Sequence, residues 1–240
     1  MAMTQTKSKG TADVKDPLKS IWKWLTVCLM IFVIYGAFFI AKGASGFANN
    51  GDAARIVFFH VPAAVTTLSC YIAAAIYAVR YLWFGRNLDT DAKSAVAMEL
   101  GLLVSVLATV TGSIFAQAQW NSYWNWDPRE VSIVGALLLY ASYLLLRGTI
   151  GDNPPKRAQL SGAYAIITLV PAVLLLYVVP KIPALQSLHP VDVLIDATKT
   201  SASYRIVLDS GIIAFSMLTV WMFQLRLRVI RLQMRRSAGL

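Results

Sequence analysis

The chain carries two histidines, His60 and His189, and one stretch where aromatic and polar side chains are interleaved, QWNSYWNWDPRE at 119–130. Imidazole changes charge near neutral pH and is a frequent metal ligand. Two imidazoles so far apart in sequence form no short-spaced HxxxH site, yet they can meet on one metal from different elements. Trp120, Trp124 and Trp126, with Tyr123 among them, are separated by Asn121, Ser122 and Asn125 and followed by Asp127. Helical spacing aligns Trp120, Tyr123 and Trp124, whereas extended spacing aligns Trp120, Trp124 and Trp126. Either geometry presents a broad aromatic face suited to a large, flat, apolar ligand with a polar edge.

The elements that must position these residues are apolar and long. Of 240 residues, 57% are hydrophobic and 14% charged, with a mean hydropathy of +0.58. That is too apolar for an ordinary soluble domain. Runs long enough to cross a bilayer as helices, roughly 20 residues each, stand at about 21–41, 56–83, 96–118, 128–147, 161–180 and 206–226. They do not alternate, which excludes a membrane β-barrel. The expected fold is therefore an all-α integral membrane protein, a bundle of six transmembrane helices.

Placing the N-terminus inside puts 16 of the 22 Lys and Arg residues on cytoplasmic segments, so the positive-inside rule predicts both termini in the cytoplasm. The net charge of +10 is absorbed by those loops and a basic tail, with no nucleic acid as partner. Residues 1–20 are expected to be a polar, disordered cytoplasmic tail. Residues 21–230 form the membrane domain, with the tryptophan-rich loop at 118–130 facing outward, and 231–240 form a basic cytoplasmic tail, frayed from 232. Cys28 and Cys70 fall inside spans and read as packing residues. Trp22, Trp24, Trp83 and Trp221 fit an interfacial belt at the inner side. No Walker A pattern is present.

This topology puts His60, the aromatic loop and His189 on the same outer face. Asp52 is a suitable N-cap for the second helix, and Pro62 removes the hydrogen bond back to Phe58. His189 precedes Pro190, which disfavours helix at the histidine. A single histidine at a membrane interface is commonly just a hydrogen-bonded polar residue; the pair beside an aromatic loop favours a ligand role. Zinc needs three or four ligands, and Asp127 and Glu130 have a closer employment. Asp127-Pro128-Arg129-Glu130 is a strong helix-start signal, with Asp as N-cap, Pro first and Glu third. Haem has the shape the aromatic face suits, and two axial imidazoles complete its coordination. Arg55, Arg129 and Arg205 lie toward the same face and can pair with propionates or with lipid headgroups.

QWNSYWNWDPRE also resembles the tryptophan-rich signature of the WWD-domain superfamily, the haem-handling proteins of cytochrome c maturation. Residues 55–64, RIVFFHVPAA, resemble the first-histidine segment of its CcmC-type members. Six helices and a second histidine in Ser187-Leu188-His189 are similar to that type as well, and the resemblance covers about 20–230. Asn121 stands where the family usually has Gly. The resemblance implies binding of haem b, non-covalently, at the outer face of the bacterial cytoplasmic (inner) membrane. His60 and His189 would be axial iron ligands, with Trp120, Tyr123, Trp124, Trp126 and Asp127 making the platform. It implies delivery to a membrane-anchored haem chaperone, with an ABC-type ATPase and permease and a small single-span protein as partners. This is binding and transfer, not enzymatic turnover. The competing readings are a cytochrome c haem lyase of the same superfamily, a bis-His electron-transfer cytochrome and a plain permease subunit.

Overall fold

The computed structural model describes residues 18–41, 53–189, 200–237 and 239. Among them there is no strand. Helix α1 (Leu18–Tyr35) runs on into a π turn, Gly36–Ile40. A 3₁₀ turn, Ala53–Ile56, leads into α2 (Val57–Trp83). Then follow α3 (Leu88–Trp120), α4 (Pro128–Thr149), α5 (Pro154–Ile167), α6 (Leu169–Val173) and α7 (Ala202–Ser237). Five helices are long and apolar enough to cross a membrane, and the bent pair formed by α5 and the segment from Leu169 to Lys181 makes the sixth. An all-α membrane bundle is what the composition required. Asp52, Pro190 and residues 1–17 of the expected tail lie outside the described residues.

The ends of the elements follow local chemistry. Helix α3 starts at Leu88, well before the apolar run expected at 96–118, because the Asn87 side chain accepts the Asp89 amide. Asp89 and Asp91 then sit in its first turn, where carboxylates complement the helix dipole. It ends at Asn121, which takes the left-handed conformation with φ 57°, a backbone state that Asn tolerates well. The bend of 41° between α5 and α6 falls at Thr168. Pro171, three residues on, has no amide to give the Ile167 carbonyl, which breaks the ladder there. Thr168 holds the corner: its hydroxyl donates to Tyr164 O and accepts from Tyr71 Oη at 2.6 Å.

Two expectations need correction. Residues 232–237 do not fray. Helix α7 continues to Ser237, with Arg231 bonded to Asp89 at 2.6 and 2.9 Å and Met234 packed against Val96 and its neighbours. The aromatic loop is also shorter than expected at 118–130, since Trp120 is still helical and Asp127 already caps α4.

Around α2 the packing is close. The Phe58 carbonyl, left free by Pro62, faces α7 at Gly211, where an added Cβ would stand 3.1 Å from it. Phe58, Phe115, Tyr204, Val207 and Leu208 form a buried apolar layer at the His60 end, with Trp120 against it. Tyr71, Met98, Tyr140 and Tyr143 form another layer further along. The Tyr140 hydroxyl donates to the Thr67 carbonyl. At the opposite end carboxylates on α3 meet arginines on α4 and α7: Asp91 with Arg147, Glu99 with Arg226 and Asp89 with Arg231. Trp22 and Trp221 meet edge to face at that end, while Trp24 and Trp83 are 69% and 66% exposed.

Candidate haem site

His60 lies one turn into α2. Its Nδ1 stands 2.9 Å from the Ala108 carbonyl and 3.3 Å from Thr111 Oγ1. A carbonyl only accepts, so Nδ1 carries the hydrogen and Nε2 keeps its lone pair. His189 sits in the loop after the 3₁₀ turn Pro183–Leu185. Its Nδ1 is 3.0 Å from Asp127 Oδ1. A carboxylate acceptor fixes the same tautomer there, and Nε2 is again the free nitrogen. Both rings pack about Phe115, at centroid distances of 6.5 Å for His60 and 6.3 Å for His189. Trp120 meets His189 edge to face at 4.8 Å.

Asp127 ties this corner together. Its carboxylate accepts from Arg129 N at 2.9 Å as the N-cap of α4, and Glu130 completes the capping box. The cap was expected; the rest was not. The same carboxylate accepts from Leu188 N at 2.6 Å, from Ser187 Oγ at 3.0 Å and from His189. Burial pushes the Asp127 carboxyl up, but the His189 imidazole, the Arg129 amide and the Leu188 amide outweigh it and hold the group well below the usual carboxylate range.

A cavity of about 450 Å³ opens beside the two histidines, and both line it. This is within the roughly 300–1,000 Å³ typical of small-molecule sites. Along α2 its wall runs from His60 through Val61, Ala64, Val65 and Leu68 to Ile72, a depth of roughly 18 Å at helical rise. Leu175, Leu176, Tyr177 and Pro180 supply the wall beyond the α5–α6 bend. Trp124 and Arg129 line it too, with Glu130, Ser132 and Lys181. Three buried polar atoms on this wall lack a hydrogen-bond partner among the described residues: Arg129 Nε, Glu130 Oε1 and Ser132 Oγ. Gly112 leaves room for His60, because a Cβ there would stand 2.7 Å from His60 Cε1.

The structure thus brings together His60, His189, Trp124, Arg129 and, behind His189, Trp120 and Asp127. Tyr123 and Trp126 are close in sequence but stand out from the surface, 62% and 78% exposed. Trp126 packs edge to face on Trp124 at 6.0 Å. Neither alignment of the loop holds throughout. Glu130 Oε2 accepts both the Asn125 and the Asp127 amides, and Trp126 between them adopts a left-handed backbone with φ 56°. That conformation is strained for an aromatic residue. Arg55 and Arg205 are not on the cavity wall. Arg55 donates to the Phe38 carbonyl in the π turn after α1, and Arg205 lies in the first turn of α7. Sequence reasoning missed Gly112, Ser187 and Lys181. The Lys181 ammonium lies 3.4 Å from the centroid of the Tyr177 ring.

A helical bundle of up to six spans, with a cavity of small-molecule size at one end beside two oriented imidazoles and a tryptophan-rich loop, defines a multi-span membrane protein with a candidate binding site in the bundle. The family model described as CcmC, Heme exporter protein C, matches residues 4–239, and the chain belongs to that family. The heme exporter protein C of Paracoccus denitrificans is 30% identical over 132 residues, 55% of this chain and 54% of that one. That of Rhodobacter capsulatus is 29% identical over 158 residues, covering 64% and 63%. That of Bradyrhizobium diazoefficiens is 28% identical over 217 residues, covering 88% and 80%. The chain therefore spans about half to two-thirds of the first two relatives and most of the third.

Proposed function

We propose that this protein binds haem b non-covalently at the outer face of the bacterial cytoplasmic membrane and hands it to a membrane-anchored haem chaperone during cytochrome c maturation. The observation that carries the reading is the pair of imidazoles beside one cavity, each bonded through Nδ1 so that Nε2 remains for a metal. Haem supplies an iron with two axial positions, a flat apolar ring and two propionates. His60 and His189 would hold the iron, each through its Nε2. Trp124 and the aliphatic residues of α2 shield the ring, and Trp120 backs His189. Arg129, with its unpartnered buried Nε, receives a propionate. Arg55 and Arg205 stand outside the wall and serve contacts with lipid headgroups.

The role is binding and transfer, without turnover. Tyr123 and Trp126, exposed at the rim, present the surface a chaperone meets. The proposed partners are that chaperone, an ABC-type ATPase and permease, and a small single-span membrane protein; the names of the relatives, heme exporter protein C, support this setting. The outward orientation rests on the Lys and Arg distribution.

The test is the absorption spectrum of purified protein given haem. A Soret band is expected, His60→Ala and His189→Ala should each shift or diminish it, and added imidazole should partly restore it. Unchanged spectra in both variants would remove the bis-histidine assignment. Reduction by a quinol, and not by dithionite alone, would favour the electron-transfer cytochrome instead.

A further inference from the structure

The end of the bundle away from His60 holds a second, open-sided cavity of about 370 Å³, lined by α3, α4, α5 and α7. Its polar lining includes Asp91, Glu99, Arg147, Arg157, Gln233 and Ser237. The two carboxylates are already neutralised. Asp91 takes both branches of the Arg147 guanidinium at 2.8 and 2.6 Å, and Glu99 takes Arg226 at 2.6 and 3.2 Å. Arg157 is left over. Its Nε is buried and has no hydrogen-bond partner among the described residues. A buried donor without an acceptor is costly, and more so when the group is charged.

No described residue supplies that acceptor, which leaves the Arg157 guanidinium able to take an anion entering the cavity, and the rest of the lining says what kind would fit. Leu88, Ala92, Ile230 and Met234 make the remaining walls apolar. Five residues before Leu88, helix α2 ends at the exposed Trp83, a residue type that marks a membrane–water interface. An anion carried at that level on an apolar body is a phospholipid phosphate, whose oxygens accept well from a guanidinium. Choline would neutralise the phosphate of a zwitterionic lipid, and the cavity offers no carboxylate free to receive it. Basic pockets between membrane helices are known to take anionic headgroups.

We propose that this cavity is a headgroup site for an anionic phospholipid, with the phosphate paired to Arg157 and the acyl chains in the bilayer. The site is separate from the histidine cavity and does not rest on the haem reading.

The test uses the full chain in mild detergent, delipidated and titrated with phosphatidylglycerol, phosphatidylcholine or inorganic phosphate. Native mass spectrometry counts retained lipid, and thermal unfolding reads stabilisation. Phosphatidylglycerol should be retained and should raise Tm, while the other two should not. Arg157→Gln should weaken that retention about tenfold, Arg157→Lys less, and Arg235→Gln on the exposed side of α7 not at all. Equal retention of phosphatidylcholine overturns the anionic preference. Equal stabilisation by inorganic phosphate overturns the lipid source, and unchanged retention in Arg157→Gln overturns the site. If Arg157→Gln does not fold, the comparison of ligands on the unaltered chain still decides.

Discussion

A Cβ on Gly112 would stand 2.7 Å from Cε1 of His60 and 3.1 Å from its Nδ1. The imidazole thus leans on the bare backbone of α3, at the same height as the Ala108 carbonyl that holds its Nδ1.

Gly112→Ala should consequently move the ring and spoil the haem spectrum. Alanine is favoured over glycine in a helix by about 1 kcal/mol, so global stability should change by no more than about that amount. Gly148→Ala, where nothing lies within 4 Å of the added Cβ, is the control and should leave the spectrum unaltered. A normal Soret band in Gly112→Ala would show that the His60 position is not fixed by this contact.

The four loop aromatics should not be equivalent. Trp124 lines the cavity and Trp120 packs on His189, whereas Trp126 is exposed. Aromatic contacts contribute on the order of 1 kcal/mol beyond area burial. Trp124→Ala should weaken haem binding by about fivefold to tenfold, Trp124→Phe less, and Trp126→Ala little. Trp126→Ala should instead impair transfer to the chaperone. Trp22→Ala/Trp24→Ala, at the other end, is expected to spare both steps. Titration of haem into each variant, followed by a transfer assay, separates the effects.

Asp127→Asn would be a mild cap substitution, at about 1 kcal/mol or less, if capping were the whole of its role. Four donors converge on this carboxylate, and an amide offers only one acceptor oxygen while turning its own donors toward them. The expected loss is about 2 kcal/mol, with the haem spectrum altered as in His189→Ala. Unfolding curves and spectra of the two variants side by side check this; a purely thermal effect with a normal spectrum would leave Asp127 as a cap alone.

The outward orientation is checked by cysteine labelling. Single cysteines at Asn121 and Leu188, both exposed, on a background without Cys28 and Cys70, should react with a membrane-impermeant thiol reagent in intact cells. A cysteine at Asp152 should react only after lysis. The reverse pattern would invert the topology and place the histidine cavity in the cytoplasm.

What could be read before the structure was whatever depends on neighbours in sequence. The six apolar runs, the cap at Asp127-Pro128-Arg129-Glu130 and the irregular backbone at His189 are of this kind. What could not be read depends on how helices are rotated against one another. Arg55, Arg129 and Arg205 look alike in the sequence, and only the packing puts Arg129 on the cavity wall and leaves Arg55 on the Phe38 carbonyl. Ser187 is one hydroxyl among many until a carboxylate sixty residues earlier is found beside it. Pro171 is visible in its apolar run, but the 41° bend at Thr168 also needs the Tyr71 hydroxyl from α2 to hold the corner.

The sharing of one carboxylate by a helix start and a loop has a mechanical side. Asp127 is at once the first anchor of α4 and the peg on which Ser187, Leu188 and His189 hang. Any force that draws His189 aside pulls on the same oxygens that restrain the Arg129 amide, and with it a residue that lines the cavity. The loop and the first turn of α4 are therefore tied to each other through one carboxylate, so that a change in one bears directly on the anchor of the other. A ligand gripped by His189 and Arg129 would be let go by both in the same motion.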